Sequence, residues 1–137
     1  MRKSVQDFQR EVFEAVRGRE YIDLPPTLLQ RFISTIKLRF RIRKIHESFI
    51  QFYYNDDNGK TSMALVVKEK RIYGHDYTPK RGWHRHLPPN GKHNHSEEGR
   101  KPMTVEEFLK KGGRDRQRVL NYELMASSHG NFEDFGF

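Results

Sequence analysis

The sequence has no cysteine, and that absence excludes disulfide bridges, thiolate-held zinc and a cysteine nucleophile. Any metal has to be held by His, Asp or Glu. Long apolar runs are also missing: nothing approaches the roughly 20 residues that span a bilayer. The opening MRKSVQDFQRE is charged where a signal peptide would be apolar. The expectation is a cytoplasmic protein with no membrane partner. No internal repeat is present.

Charge and aromatic side chains are plentiful. With 34% hydrophobic and 32% charged residues the chain is polar for a globular protein, yet ten Phe, six Tyr and one Trp are too many for a disordered one. Its 137 residues fit one domain with an aromatic-rich core. The formal charge of +8 is unevenly spread. Residues 25–54 carry six basic side chains against one acidic, and residues 79–101 carry six against two. Two basic blocks favour a polyanion-facing surface over generic solubility.

Hydrophobic periodicity outlines the fold. In SVQDFQREVFEAVRG, Val5, Phe8, Val12 and Val16 recur at helical spacing, with Ser4 and Asp7 as a capping pair and Gly18 as a left-handed exit. After the rigid LPP, TLLQRFIS places Leu28, Leu29, Phe32 and Ile33 on one side of a short second helix. The period then changes to two: Ile36, Leu38, Phe40 and Ile42 alternate with Lys37, Arg39, Arg41 and Arg43, the pattern of a half-buried strand. HESFIQFYY and KTSMALVV, separated by NDDNG, form a hairpin, and KEK leads tightly into RIYGHDYT. Residues 79–102 read as a long loop with a short strand at WHRHL, and Thr104 with Glu107 caps a helix over VEEFLKK, ended by Gly112 and Gly113.

The expected fold is α+β: an antiparallel meander of four to five strands packed with N-terminal helices, and a helix after a His-rich loop. Residues 1–112 form the domain, and residues 113–137 a helical or irregular extension whose last residues are either loosely held or dock only through Phe132, Phe135 and Phe137. The expected core is Phe8, Val12, Phe32, Ile36, Leu38, Phe40, Ile42, Leu65, Val67 and Phe108.

Two features bear on chemistry. In a strand, Lys37, Arg39, Arg41 and Arg43 form one row at roughly 6 to 7 Å spacing, close to the phosphate repeat of an extended nucleic-acid strand. Arginine suits phosphate because its planar fork donates two parallel hydrogen bonds. The competing assignment is a solvated, salt-bridged sheet face, but the adjacent strand offers only Glu47.

The second feature is GWHRHLPPNGKHNHS, with HxH pairs at His84/His86 and His93/His95. As metal ligands, His84 and His86 point the same way in an extended segment, and Asp76 or His75 could complete the shell. As proton carriers, they stand beside Lys80, Arg81 and Arg85 to hold phosphate and Trp83 to stack a base, the parts that metal-independent RNA cleavage requires. As filler, they are polar groups of an ordinary loop, which is the assignment for His93 and His95. Tyr73 is either a further proton donor or a sheet-packing residue.

The stretch RIYGHDYTPKRGWHRHLPPNGKHNHSEEGRKPMTVEEFL resembles the TumE-like toxin components of archaeal and bacterial toxin–antitoxin modules. The resemblance covers roughly residues 36–111 and rests on Tyr73, Asp76, His84, His86 and the following helix. It implies a small α+β protein acting on RNA or translation, with its histidines near the working site and an antitoxin as partner. The Lys/Arg-rich loop, the second HxH pair and the tail from Arg114 to Phe137 depart from that pattern.

The expected function is therefore RNA binding, with or without metal-independent ribonuclease activity of toxin type, and no cofactor is expected. His84, His86 and Tyr73 are the catalytic candidates. Lys37, Arg39, Arg41, Arg43, Lys80, Arg81, Trp83 and Arg85 are the nucleic-acid-binding candidates. Two other classes remain open: a non-catalytic basic module docking on a ribonucleoprotein or protein complex, and a His-based metal-binding protein.

Overall fold

The structure, a computed structural model, describes residues 2–87, 92–94 and 97–114. Helix α1 (Val5–Val16) starts where expected: Ser4 Oγ accepts from the Asp7 amide at 3.1 Å, and the Asp7 carboxylate accepts in return from the Ser4 amide. Its apolar stripe of Val5, Phe8, Val12 and Val16 is buried, and Gly18 leaves the helix with φ +80°.

The strands are β1 (Thr27–Arg31), β2 (Thr35–Arg41), β3 (Ser48–Asn55), β4 (Thr61–Val67), β5 (Lys70–Thr78) and β6 (Gly82–Leu87). A three-residue β7 (Lys92–Asn94) follows. Each pairs antiparallel with the next, so the sheet keeps chain order throughout. The meander thus has six strands and a short seventh, against an expectation of four to five. The short α2 (Glu97–Arg100) lies beside β6, and α3 (Val105–Arg114) is capped by Thr104, whose Oγ1 accepts from the Glu107 amide at 3.1 Å. Helix α3 runs through Gly112 and Gly113, which were expected to end it.

Strand β1 corrects the second helix expected over TLLQRFIS. This segment pairs with β2 from Thr27↔Arg39 to Arg31↔Ile36, so its backbone groups are satisfied by a ladder. A helix here would need a core to receive its apolar side. None is available, because Phe32 is 65% and Ile33 97% exposed. The periodicity was real but had no partner surface, and Phe32 leaves the expected core for the same reason. The other nine expected core residues are buried.

One face of the sheet is covered by α1 and α3. Phe8 stacks on Tyr54 at 4.7 Å, Phe13 meets Phe40 edge-on, and Phe108 reaches both Phe52 and Tyr73. Aromatic contacts of this kind add about 0.5 to 1.5 kcal/mol each beyond area burial. The two helices are tied together by the Glu11 carboxylate, which accepts from the Val105 amide, and the turn after α1 is tied to α3 by the Arg19–Glu106 ion pair. The Tyr21 hydroxyl donates to the Leu109 carbonyl. Burial pushes that phenol up to about 12.

No described helix is long and apolar enough to cross a membrane. The helix and the docking aromatics expected within 115–137 lie outside the described residues.

Candidate nucleic-acid interface

Residues directly opposite each other across a ladder share a face of the sheet. Lys37, Tyr53, Ser62, Asp76 and His84 follow one another as such partners from β2 to β6. Two residues along runs a second row, Arg39, Gln51, Ala64, Gly74 and His86. Beyond it come Arg41, Phe49, Val66 and Arg71. All three rows lie opposite the face that carries α1 and α3. At about 4.8 Å per strand, the Arg39 and His86 backbones stand roughly 19 Å apart on this open face.

The β2–β3 end is cationic and aromatic. Lys37, Arg39 and Arg41 have no acidic partner among the described residues. Arg39 lies 3.9 Å over the Phe49 ring and donates to Gln51 at 3.2 Å. Lys60 approaches the Tyr53 ring at 5.9 Å. The expected fourth cation of the row is set aside: β2 stops at Arg41, and Arg43 turns to Asp23, with Nε 2.9 Å from Oδ1.

The β5–β6 end gathers Asp76, His84 and His86, whose ligand-capable atoms lie within 4.8 Å of one another. Asp76 divides its oxygens. Oδ1 accepts from Arg71 Nη2 at 2.6 Å, while Oδ2 stands 2.9 Å from His86 Nε2. Burial alone would raise this carboxyl, but hydrogen bonds from His86, Arg71 and Ser62, with the Arg71 charge, hold it well below the usual carboxylate range. His84, 2% exposed, has Nδ1 3.1 Å from the Gly82 carbonyl. A carbonyl only accepts, so Nδ1 carries a proton, and in the neutral ring Nε2 carries the lone pair.

Arg71 reaches Asp76 because the residue beneath it has no side chain. A Cβ on Gly74 would sit 2.1 Å from Arg71 Nη2 and 2.3 Å from Nε. The glycine therefore lets a guanidinium lie flat on the middle of the open face. Next to it, Lys60, Thr78, Lys80 and Arg81 border a shallow cleft of about 540 Å³ that opens onto Asp76, His84 and His86.

The remaining candidates lie on the other side. Trp83 is the partner of Tyr77, and Arg85 of His75, which puts both on the covered face. Trp83 packs against the core beside His75 and Tyr77. Tyr73 is 4% exposed and stacked on Phe108, so it shares no surface with His84 and His86. His75, weighed as a metal ligand, also faces the core: its Nε2–H donates to the Lys101 carbonyl at 2.9 Å. Burial pushes its pKa down more strongly than that hydrogen bond raises it. His93 lies on β7, and His95 lies outside the described residues.

The structure thus brings Lys37, Arg39, Arg41, Lys80, Arg81, His84 and His86 to one face, together with Asp76, weighed as a ligand beside the histidines, and three residues not expected there. Phe49 and Tyr53 follow from the alternation of SFIQFYYN, and a glycine in the middle of RIYGHDYT signals a close approach, here by Arg71. Asp76 joins the histidines through strand register alone.

Comparison with protein-family models, curated proteins and solved structures gives no match.

Proposed function

We propose that the protein binds RNA across the open face of its sheet. The observation that carries this is the pairing of Lys37 with Tyr53, Arg39 with Gln51 and Arg41 with Phe49, which interleaves cations and rings on one surface. Aromatic side chains on a sheet offer platforms for unstacked bases, and flanking cations take the phosphates. Arg71 extends the positive surface towards the histidine cleft, so a strand held at β2–β3 can lead to the cleft mouth at Lys80 and Arg81, below which Asp76, His84 and His86 are buried.

A ribonuclease that moves protons on imidazole is the catalytic form of this function, favoured by the His86–Asp76 contact at 2.9 Å. The carboxylate would orient His86, and His84, its ring centroid 5.1 Å away, would be the second carrier. The resemblance to TumE-like toxins supports that form, and an antitoxin as protein partner, through Asp76, His84 and His86 alone, since Tyr73 lies on the covered face.

The test is single-stranded RNA binding at increasing salt, followed by a cleavage assay with and without chelator. RNA binding through phosphates should weaken steeply as salt rises. An affinity indifferent to salt would remove the proposal. Cleavage that survives chelator but is lost in His84→Ala/His86→Ala would mark the proton-carrier form.

A further inference from the structure

We propose that Asp76, His84 and His86 bind a first-row divalent transition-metal ion, with open coordination positions turned to the cleft edged by Lys80 and Arg81. Three observations carry this. The ligand-capable atoms of all three residues fall within 4.8 Å of one another, from adjacent strands and on one face. Around a tetrahedral ion with bonds of about 2.1 Å the donor atoms stand about 3.4 Å apart, so small side-chain rotations close the site.

The orientation of two of the three donors is also prepared. His84 donates its Nδ1 proton to the Gly82 carbonyl, leaving Nε2 as the donor atom. Asp76 gives Oδ1 to Arg71 and turns Oδ2 to the imidazole of His86. Metal-binding histidines and carboxylates are held by outer hydrogen bonds of this kind.

Finally, the donor set is selective. Two imidazoles and one carboxylate suit zinc, iron, cobalt or nickel and do not suit calcium or magnesium, which take oxygen shells. Three protein donors leave positions for an outside ligand, as in catalytic sites. Asp76 and Arg71 cancel in charge and the rim of the cleft is basic, so the ion's two positive charges call for an anionic outside ligand. An anionic oxygen fits there, and its assignment to an RNA phosphate rests on the proposed RNA binding, whereas the ion site does not. A bound ion also occupies the lone pairs that the proton-carrier form needs, so the two exclude each other.

The test uses the full chain, stripped with chelator and titrated with Co²⁺ alone, followed by calorimetry and visible absorption. One Co²⁺ per chain with ligand-field bands is expected, and Asp76→Asn or His84→Ala/His86→Ala should weaken it by about 100-fold or more. Circular dichroism checks that each variant folds. Should a variant unfold, paramagnetic broadening in the unaltered protein still decides, because the His84 and His86 ring signals should vanish first. No saturable binding, binding unchanged in folded Asp76→Asn, or loss on His93→Ala/His95→Ala instead would overturn the site. Co²⁺ binding in a protein without RNA affinity upholds the site and removes the RNA proposal. RNA affinity without Co²⁺ binding does the reverse.

Discussion

The two faces of the sheet are built from the same strands, and they differ in every property that matters for function. On the covered face, Ile36, Leu38, Phe40, Ile50 and Phe52 meet two helices through apolar and aromatic contact. On the open face, the residues between them are Lys37, Arg39, Gln51 and Tyr53. A one-residue offset therefore separates what holds the protein together from what can meet a ligand. Neighbours in sequence such as Trp83 and His84, or His75 and Asp76, end on opposite sides.

The largest expected effect breaks the covered face alone. Phe52 is fully buried between Phe40 and Phe108, so Phe52→Ala should cost about 3 to 5 kcal/mol in urea unfolding. The fraction that stays folded should keep its RNA affinity.

The converse change touches only the open face. Lys37→Ala/Arg39→Ala/Arg41→Ala should leave unfolding nearly unaltered and lower single-stranded RNA affinity on the order of 100-fold at low salt. The slope of log affinity against log salt should become shallower by about 2, from roughly 0.7 per phosphate contact. An unchanged slope would move the phosphate contacts elsewhere.

A subtler break lies within the open face. Gly74→Ala should push the Arg71 guanidinium off Asp76, and leaving that buried carboxylate without its cation should lower stability by about 1 to 3 kcal/mol. Co²⁺ affinity should fall about 10-fold, the effect of losing an outer hydrogen bond on a ligand. Retained affinity would show that Arg71 has no part in holding Asp76 for the ion.

The smallest effect belongs to the covered face and to pH. Tyr21 keeps its proton up to about 12 in the folded chain because burial disfavours the phenolate, against an ordinary value of 10.0. Its contribution to stability is complete below about pH 10 and is lost as pH rises towards 12, since the unfolded chain releases the proton first. Tyr21→Phe should flatten that part of the stability curve, measured by urea unfolding at a series of alkaline pH values.

Much of this division was legible in the sequence. The alternation in IKLRFRIRKI gave both faces of β2, and Ser4, Asp7, Thr104 and Glu107 marked two helix starts correctly. The limits of local pattern show at β1, where Leu28, Leu29, Phe32 and Ile33 have helical spacing but no core to pack on. They show again at Arg43, which the same alternation placed in the cationic row although the strand ends at Arg41.

The histidine cluster was half legible. HxH spacing put His84 and His86 on one side, but their meeting with Asp76 depends on the β5–β6 register, and the role of Arg71 depends on a missing Cβ at Gly74. The register across a hairpin leaves no periodic trace. Trp83 and Arg85 attracted attention by adjacency, yet in a strand adjacency means opposite faces.

The most direct measurement is a titration of the ¹⁵N-labelled protein with single-stranded RNA, following side-chain N–H signals. The chain has one Trp, so the Trp83 indole is an unambiguous reporter of the covered face. Binding on the open face predicts shifts of the Arg39, Arg41 and Arg71 signals while the Trp83 indole stays in place. A shifting indole with unmoved arginines would put RNA on the covered side and contradict the account.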